Sequence, residues 1–410
     1  MLSNRNGVER GIVMFDFRRA FGVCVAAAML AGCGGGTGTP LSPSPAGVTA
    51  ERTRPSHTYG VLHSFKGGSG DGEYPEAGLI NVKGTLYGTT YEGGANGNGT
   101  VFKLTTSGAE TVLHSFGGSG DGALPLAGLL NVKGTLYGTT YEGGANGDGT
   151  VFAITTSGAE TVLYSFKGGS GDGAIPVAGL INVKGTLYGT TFLGGANGDG
   201  TVFKLTTSGT ETVLHNFPTG SRDGYFLYAG LLNVKGTLYS TTYAGGASSF
   251  GTVFSITTSG AETVLYSFKG APGDGLFPYA GLINVKGTLY GATYEGGANY
   301  DGTVFAITTS GAETVLYSFK GGSGDGEDPE AGLINVKGTL YGTTYEGGAN
   351  GDGTVFKITT SGAETVLHSF GGLGDGALPL AGLLNFEGTL YGTTYEGGAN
   401  GDGTVFSLKP

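Results

Sequence analysis

The sequence predicts an all-β fold: a seven-bladed β-propeller of four-stranded antiparallel blades, its ring closed by the N-terminal strand completing the last blade. Three observations predict it. NVKGTLYGTT or a close copy begins at Asn81, Asn131, Asn182, Asn233, Asn284, Asn335 and Asn385, a period of 50 or 51 residues, within the range of propeller repeats. Each unit holds four short β-branched and aromatic segments punctuated by glycine. The repeats also begin out of phase, with a lone fourth strand, and end after a third strand.

Within the first unit, residues 78–82 (GLINV) read as strand A, and the tight Lys83-Gly84 turn as a type I turn closed by a glycine of positive φ. Residues 85–91 (TLYGTTY) form strand B, with Leu86, Gly88 and Thr90 on one face and Tyr87, Thr89 and Tyr91 on the other. A glycine-rich loop over 92–98 leads to strand C, 99–105 (GTVFKLT). The Ser107-Gly108 turn leads to strand D, 110–116 (ETVLHSF). Both faces of a blade meet neighbouring blades, so both carry apolar and small residues. The glycines of strands A and B suit the taper toward the axis.

Phase decides between a ring and an open stack. The lone strand D at 61–65 (VLHSF) and the final strand C at 403–408 make seven complete blades only if the chain ends share one. A linear solenoid needs atypical polar caps, and the terminal units here match the middle ones. Closure leaves few free sheet edges. Gly and Pro total 100 of 410 residues, but at fixed positions, so they mark turns rather than low complexity. Both cysteines, Cys24 and Cys33, precede the repeats, so no disulfide staples the folded region. The net charge of −11 opposes nucleic-acid binding by it.

The N-terminus reads as an address. Residues 20–31 (AFGVCVAAAMLA) are an apolar run behind Arg18 and Arg19, too short to span a bilayer and suited to a signal. The run ends in Leu30-Ala31-Gly32-Cys33, which resembles the lipobox of bacterial lipoproteins. That resemblance implies cleavage before Cys33 and lipidation of its thiol. Gly34 stands where an inner-membrane retention aspartate would, favouring the outer membrane or cell surface. Met14 is an alternative start, and Arg18-Arg19-Ala20-Phe21 fits ordinary export better than the twin-arginine route. The expected organisation is a signal peptide over 1–32, a flexible Gly/Thr/Ser/Pro tether over 33–58 and the propeller over 59–410.

The paired glycine after the second strand (Gly93-Gly94 and equivalents) and the strand order resemble kelch repeats, although the chain has no tryptophan. The segment at 99–116 (GTVFKLTTSGAETVLHSF) resembles more closely the bacterial Gloeo/Verruco, or GloVer, tandem repeat, over about residues 59–410. The resemblance implies a surface protein and no particular activity.

The long D–A and B–C loops emerge on one face and carry nearly all the differences between copies, so function is expected there. In blades 3–5 these loops contribute Tyr225, Phe226, Tyr228, Phe250, Phe277, Tyr279 and Tyr300, suited to sugar stacking or protein hot spots. Each D–A loop carries Asp-Gly (Asp71, Asp121, Asp172, Asp223, Asp274, Asp325, Asp375), which turns favour and which Ca²⁺ could use. No cofactor and no metal site is otherwise expected. An acidic group, Glu327, Asp328, Glu330 and Glu346 with Glu73, Glu76 and Glu92, reads as a solvated rim. His63, His114, His215 and His368 share a strand-D register with Tyr164, Tyr266 and Tyr317, which reads as a structural position. No catalytic constellation is present. The expected function is a non-catalytic surface module, monomeric, membrane-bound only through its lipid and binding a glycan or protein. A carbohydrate-active propeller using loop carboxylates is the alternative.

Overall fold

The computed structural model describes residues 57–410, apart from 219, 221, 271, 372 and 373. The expected signal peptide, Cys33 and all but the last two residues of the expected tether lie outside the described residues. Seven four-stranded antiparallel sheets are present. Blade 1 comprises Ile80–Val82, Thr85–Thr90, Thr100–Thr105 and Glu110–Ser115, and blades 2–6 repeat it. Blade 7 takes its outer strand from the start of the domain. Thr58–Ser64 pairs with Thr404–Lys409, in register from Thr58↔Lys409 to Ser64↔Thr404. The ring therefore closes as the phase of the repeats predicts, with strand pairing starting at Thr58.

Local geometry departs from expectation in three places. The Lys83-Gly84 turn is not type I. Both residues have positive φ, 54° and 87°, and Val82 pairs with Thr85, the two-residue I′ geometry whose twist matches the strands. The Asn81 side chain stabilises it by accepting from the Gly84 N–H at 3.2 Å. The first strand begins at Ile80, not Gly78. Gly78 instead lies in a ring of seven equivalent glycines; a Cβ there would sit 3.0 Å from the Gly382 carbonyl, and one on Gly382 would sit 2.9 Å from that of Gly332. The expected plain loops also pair with each other. Gly72–Glu73 bonds to Glu92–Gly93, and six repeats carry such a two-stranded sheet.

The core lies at the blade seams, with one apolar cluster at each. The phenylalanine after each outer strand meets the third-strand phenylalanine of the next blade edge-on. Phe65–Phe102 is one such pair, at 5.3 Å, and Phe370–Phe406 another, at 5.2 Å. All four rings are fully buried, each burial stabilising by about 1.5–3 kcal/mol. These rings fill the space that Gly88 leaves, since a Cβ there would stand 2.6 Å from the Phe102 ring. The Gly88 position is thus fixed by ring packing rather than by taper. A threonine hydroxyl crosses six seams, as when Thr89 donates to the Ala127 carbonyl and Thr393 to that of Ala77. At the seam between blades 5 and 6, Ala292 stands in its place. Each outer strand also bulges where the register shifts, between Val61 and His63 in blade 7, which re-aims the residues that follow.

Candidate functional site

The D–A loops are held by their aspartates. Asp71 accepts from the Lys66 and Gly72 N–H groups at 3.1 and 2.8 Å and pairs with His63 Nε2 at 3.3 Å. Tyr164 does the same work in the same register of blade 2, its hydroxyl donating to Asp172 at 2.7 Å, as do Tyr266 and Tyr317 toward Asp274 and Asp325. This explains the His/Tyr alternation at six of the seven positions, where either side chain donates to the loop carboxylate; the seventh, His215, has no partner at Nε2. The aspartates thus serve as hydrogen-bond hubs of the loops.

Three residues on, one residue per loop sits in the left-handed region: Tyr74, Leu124, Ile175, Phe226, Phe277, Asp328 and Leu378, with φ between 53° and 60°. A side chain there costs about 1 kcal/mol or more. Backbone bonds into two blades hold it. Phe226 donates its N–H to the Asp199 carbonyl and accepts from the Tyr243 N–H, at 3.2 and 2.9 Å. The backbone does the structural work, so side-chain identity is free to vary from tyrosine to isoleucine to aspartate.

In blades 3–5 that freedom produces an aromatic arc. Tyr228 stacks on Tyr279 with centroids 4.4 Å apart. Phe226 stacks on Phe192 at 4.8 Å and meets Tyr225 edge-on at 4.9 Å. Phe277 stacks on Tyr243 at 4.9 Å and touches Phe250 at 5.7 Å. Six of the seven aromatics expected in the site are thus drawn together and half-buried. Tyr300 stands apart, 57% exposed. Phe192 and Tyr243 were missed by sequence reasoning, which assigned their register to a blade face. The signal was available, because that register is aromatic in all seven copies.

Carboxylates adjoin the arc. Burial, then Glu346, Glu327, Glu330 and Glu295, push Asp328 up to about 8. Burial, Glu295 and Glu330 push the Tyr243 hydroxyl up to about 12. The acidic residues expected as one patch form two. The neighbours of Glu73 are Asp402 and Glu92, while Asp328 belongs to the other cluster, and the apolar loop of Ala377, Leu378 and Leu380 intervenes along the chain.

A second set of carboxylates lies at the outer seams. The first residue of each outer strand in blades 1–6 is a glutamate set against the preceding blade's aspartate. Burial and that aspartate push Glu110, Glu160, Glu211, Glu262, Glu313 and Glu364 up to about 7. A cavity of about 580 Å³ opens at one such seam, between Tyr164, Lys167, Asp172 and Glu211. In blade 7, Tyr59 replaces the glutamate and stacks on His368 at 3.7 Å.

The Gloeobacter/Verrucomicrobia repeat model matches residues 38–234 and 194–406. The chain belongs to this family. Its seven copies make one propeller, and the fold recurs in solved structures of low identity. One is a puromycin hydrolase, 11% identical with a TM-score of 0.50, the match covering 78% of this chain and 50% of that one. Another is PorZ of Porphyromonas gingivalis, a surface component of the type-IX secretion system, 15% identical with a TM-score of 0.50, covering 84% and 47%. The chain spans about half the length of each. No curated protein matches it.

Proposed function

We propose that this GloVer-repeat propeller is a surface-displayed lipoprotein whose loop face binds glycans. The carrying observation is the aromatic arc of Phe226, Tyr228, Phe277 and Tyr279, whose Tyr243 lies beside Glu295 and Glu330. Aromatic faces take the apolar face of a sugar ring, and carboxylates accept from its hydroxyls. The frame is preorganised, since backbone bonds into two blades fix the loop residues that bear Phe226, Phe277 and Asp328. The Leu30-Ala31-Gly32-Cys33 segment supports lipid anchoring and export, and the acidic charge disfavours nucleic acid. Glycan-array binding by the chain tests the reading. Replacing Tyr225, Phe226 and Phe277 by alanine should abolish binding with little change in melting temperature. Unchanged binding, or unfolding of the variant, refutes it.

A second reading rests on Asp328. Its carboxyl, pushed up to about 8 among the carboxyls of Glu346, Glu327, Glu330 and Glu295, is the kind of raised acid that acid–base glycoside cleavage uses. Sugar release from polysaccharide that disappears in Asp328→Asn would favour this reading over simple binding.

A further inference from the structure

Four outer seams carry histidine, and they are not equivalent. At three, a histidine, an aspartate and the next blade's glutamate bring ligand atoms within 4.8 Å of one another: His63/Asp71/Glu110, His114/Asp121/Glu160 and His215/Asp223/Glu262. In the first two the imidazole is already engaged by its aspartate, at 3.3 and 3.1 Å. At the third, His215 Nε2 and Glu262 Oε1 are both buried without a hydrogen-bond partner. The lysine that follows the tyrosines of other seams is also absent from this register. Lys167, Lys269 and Lys320 stand three residues after the tyrosines of their seams, whereas Pro218 stands three residues after His215.

The adjoining loop is also built differently. In six loops the aspartate carbonyl accepts from a B–C loop glycine N–H, as Asp172 does from Gly195 at 2.6 Å. Asp223 instead accepts from the Thr252 hydroxyl at 3.2 Å, and Gly224 takes φ 95°, a conformation its counterparts do not share. This is the loop that bears Tyr225, Phe226 and Tyr228.

We propose that His215, Asp223 and Glu262 form a site for a divalent transition metal of the zinc type, stapling the outer strands of blades 3 and 4. One imidazole and two carboxylates form a nitrogen/oxygen donor set that zinc accepts, with a fourth position left for water. Zinc bonds of about 2.0–2.2 Å place tetrahedral ligand atoms about 3.4 Å apart. Entry of the ion therefore draws these atoms together by about 1.4 Å at most. The ion supplies the charge that lysine supplies at the tyrosine seams and latches the aromatic loop through Asp223.

The test is Zn²⁺ titration of the full chain without an affinity tag, followed by calorimetry and melting temperature. His215→Tyr installs the residue that three other seams already use, so the metal-free fold is preserved. It should lose one equivalent of bound Zn²⁺ and the zinc-dependent rise in melting temperature. Glu262→Gln should weaken the same site by about tenfold or more. His368→Tyr should lose no equivalent, because Tyr59 replaces the glutamate there. Should His215→Tyr fail to fold, Glu262→Gln decides alone. Equal stoichiometry in wild type and His215→Tyr, full affinity in Glu262→Gln, or no zinc-dependent stabilisation of the wild type overturns the proposal.

Discussion

Replacing Glu211 by glutamine should stabilise the protein at pH 8 and leave it unchanged at pH 4.5. Glu211 lies against Asp172, and burial with that aspartate raises its pKa from 4.5 to about 7, with Lys167 opposing. Its Oε1 is buried without a partner. A carboxyl raised by folding binds its proton more tightly in the native state. Its stabilising contribution is complete below the unfolded value of 4.5 and is lost as pH rises through 7. At about 1.36 kcal/mol per unit the shift corresponds to roughly 3 kcal/mol; the side chain is about half exposed, and screening reduces this to about 1 kcal/mol. Glutamine mimics the protonated form and should recover that amount at pH 8. With an unfolding entropy of about 2.1 cal/mol/K per residue, the melting temperature should rise by about 1–2 °C. Five other seams repeat the arrangement, so the wild type should itself lose several kcal/mol, roughly 5, between pH 5 and pH 8. The raised His114 adds to this trend and the lowered His215 opposes it. Asp121 and Asp375, held below their ordinary range, lose stabilisation only under more acid conditions. Denaturant melts at pH 5, 6, 7 and 8 measure the slope. A wild type more stable at pH 8 than at pH 5, or an E211Q variant weaker at pH 8, would refute the reasoning.

Other perturbations follow from the same seams. Ala292→Thr should restore the seventh hydroxyl bridge, to the Ala331 carbonyl, and add about 1 kcal/mol, read as a higher urea midpoint; a lower midpoint means the methyl is needed there. Phe65→Ala should cost about 3–5 kcal/mol, since the fully buried ring fills the closing seam against Phe102; a loss under about 1 kcal/mol would show that the seam contributes little. Gly138→Ala should destabilise by about 1–3 kcal/mol, because its Cβ would lie 2.5 Å from the Phe152 ring; near-neutral behaviour in thermal melts would mean that the ring moves freely.

What the repeat encodes within one blade was legible, and so was closure, because a lone strand at one end and a missing one at the other admit few alternatives. What was not legible arises between blades. Nothing in the period says that His63 reaches Asp71 or that Glu110 comes from the neighbouring sheet. The clue was there in a weak form: histidine and tyrosine share a donor at similar reach, and an aspartate follows each by seven or eight residues. The handedness of the Lys83-Gly84 turn was hidden because lysine rarely adopts positive φ; strand twist demands it here. The loop aromatics were readable as a set, but Phe192 and Tyr243 join them only through the fold.

The shared blade also sets a timetable. Ser64 and its partner Thr404 are 340 positions apart, so at 5–20 residues per second roughly 20–70 s of synthesis separate them. Throughout that interval the outer strand of blade 7 has no edge to join, and its apolar residues wait for the last hairpin. The closing seam is therefore the last to form, and a chain cut short by even one strand would leave Thr58–Ser64 without the strand it pairs with.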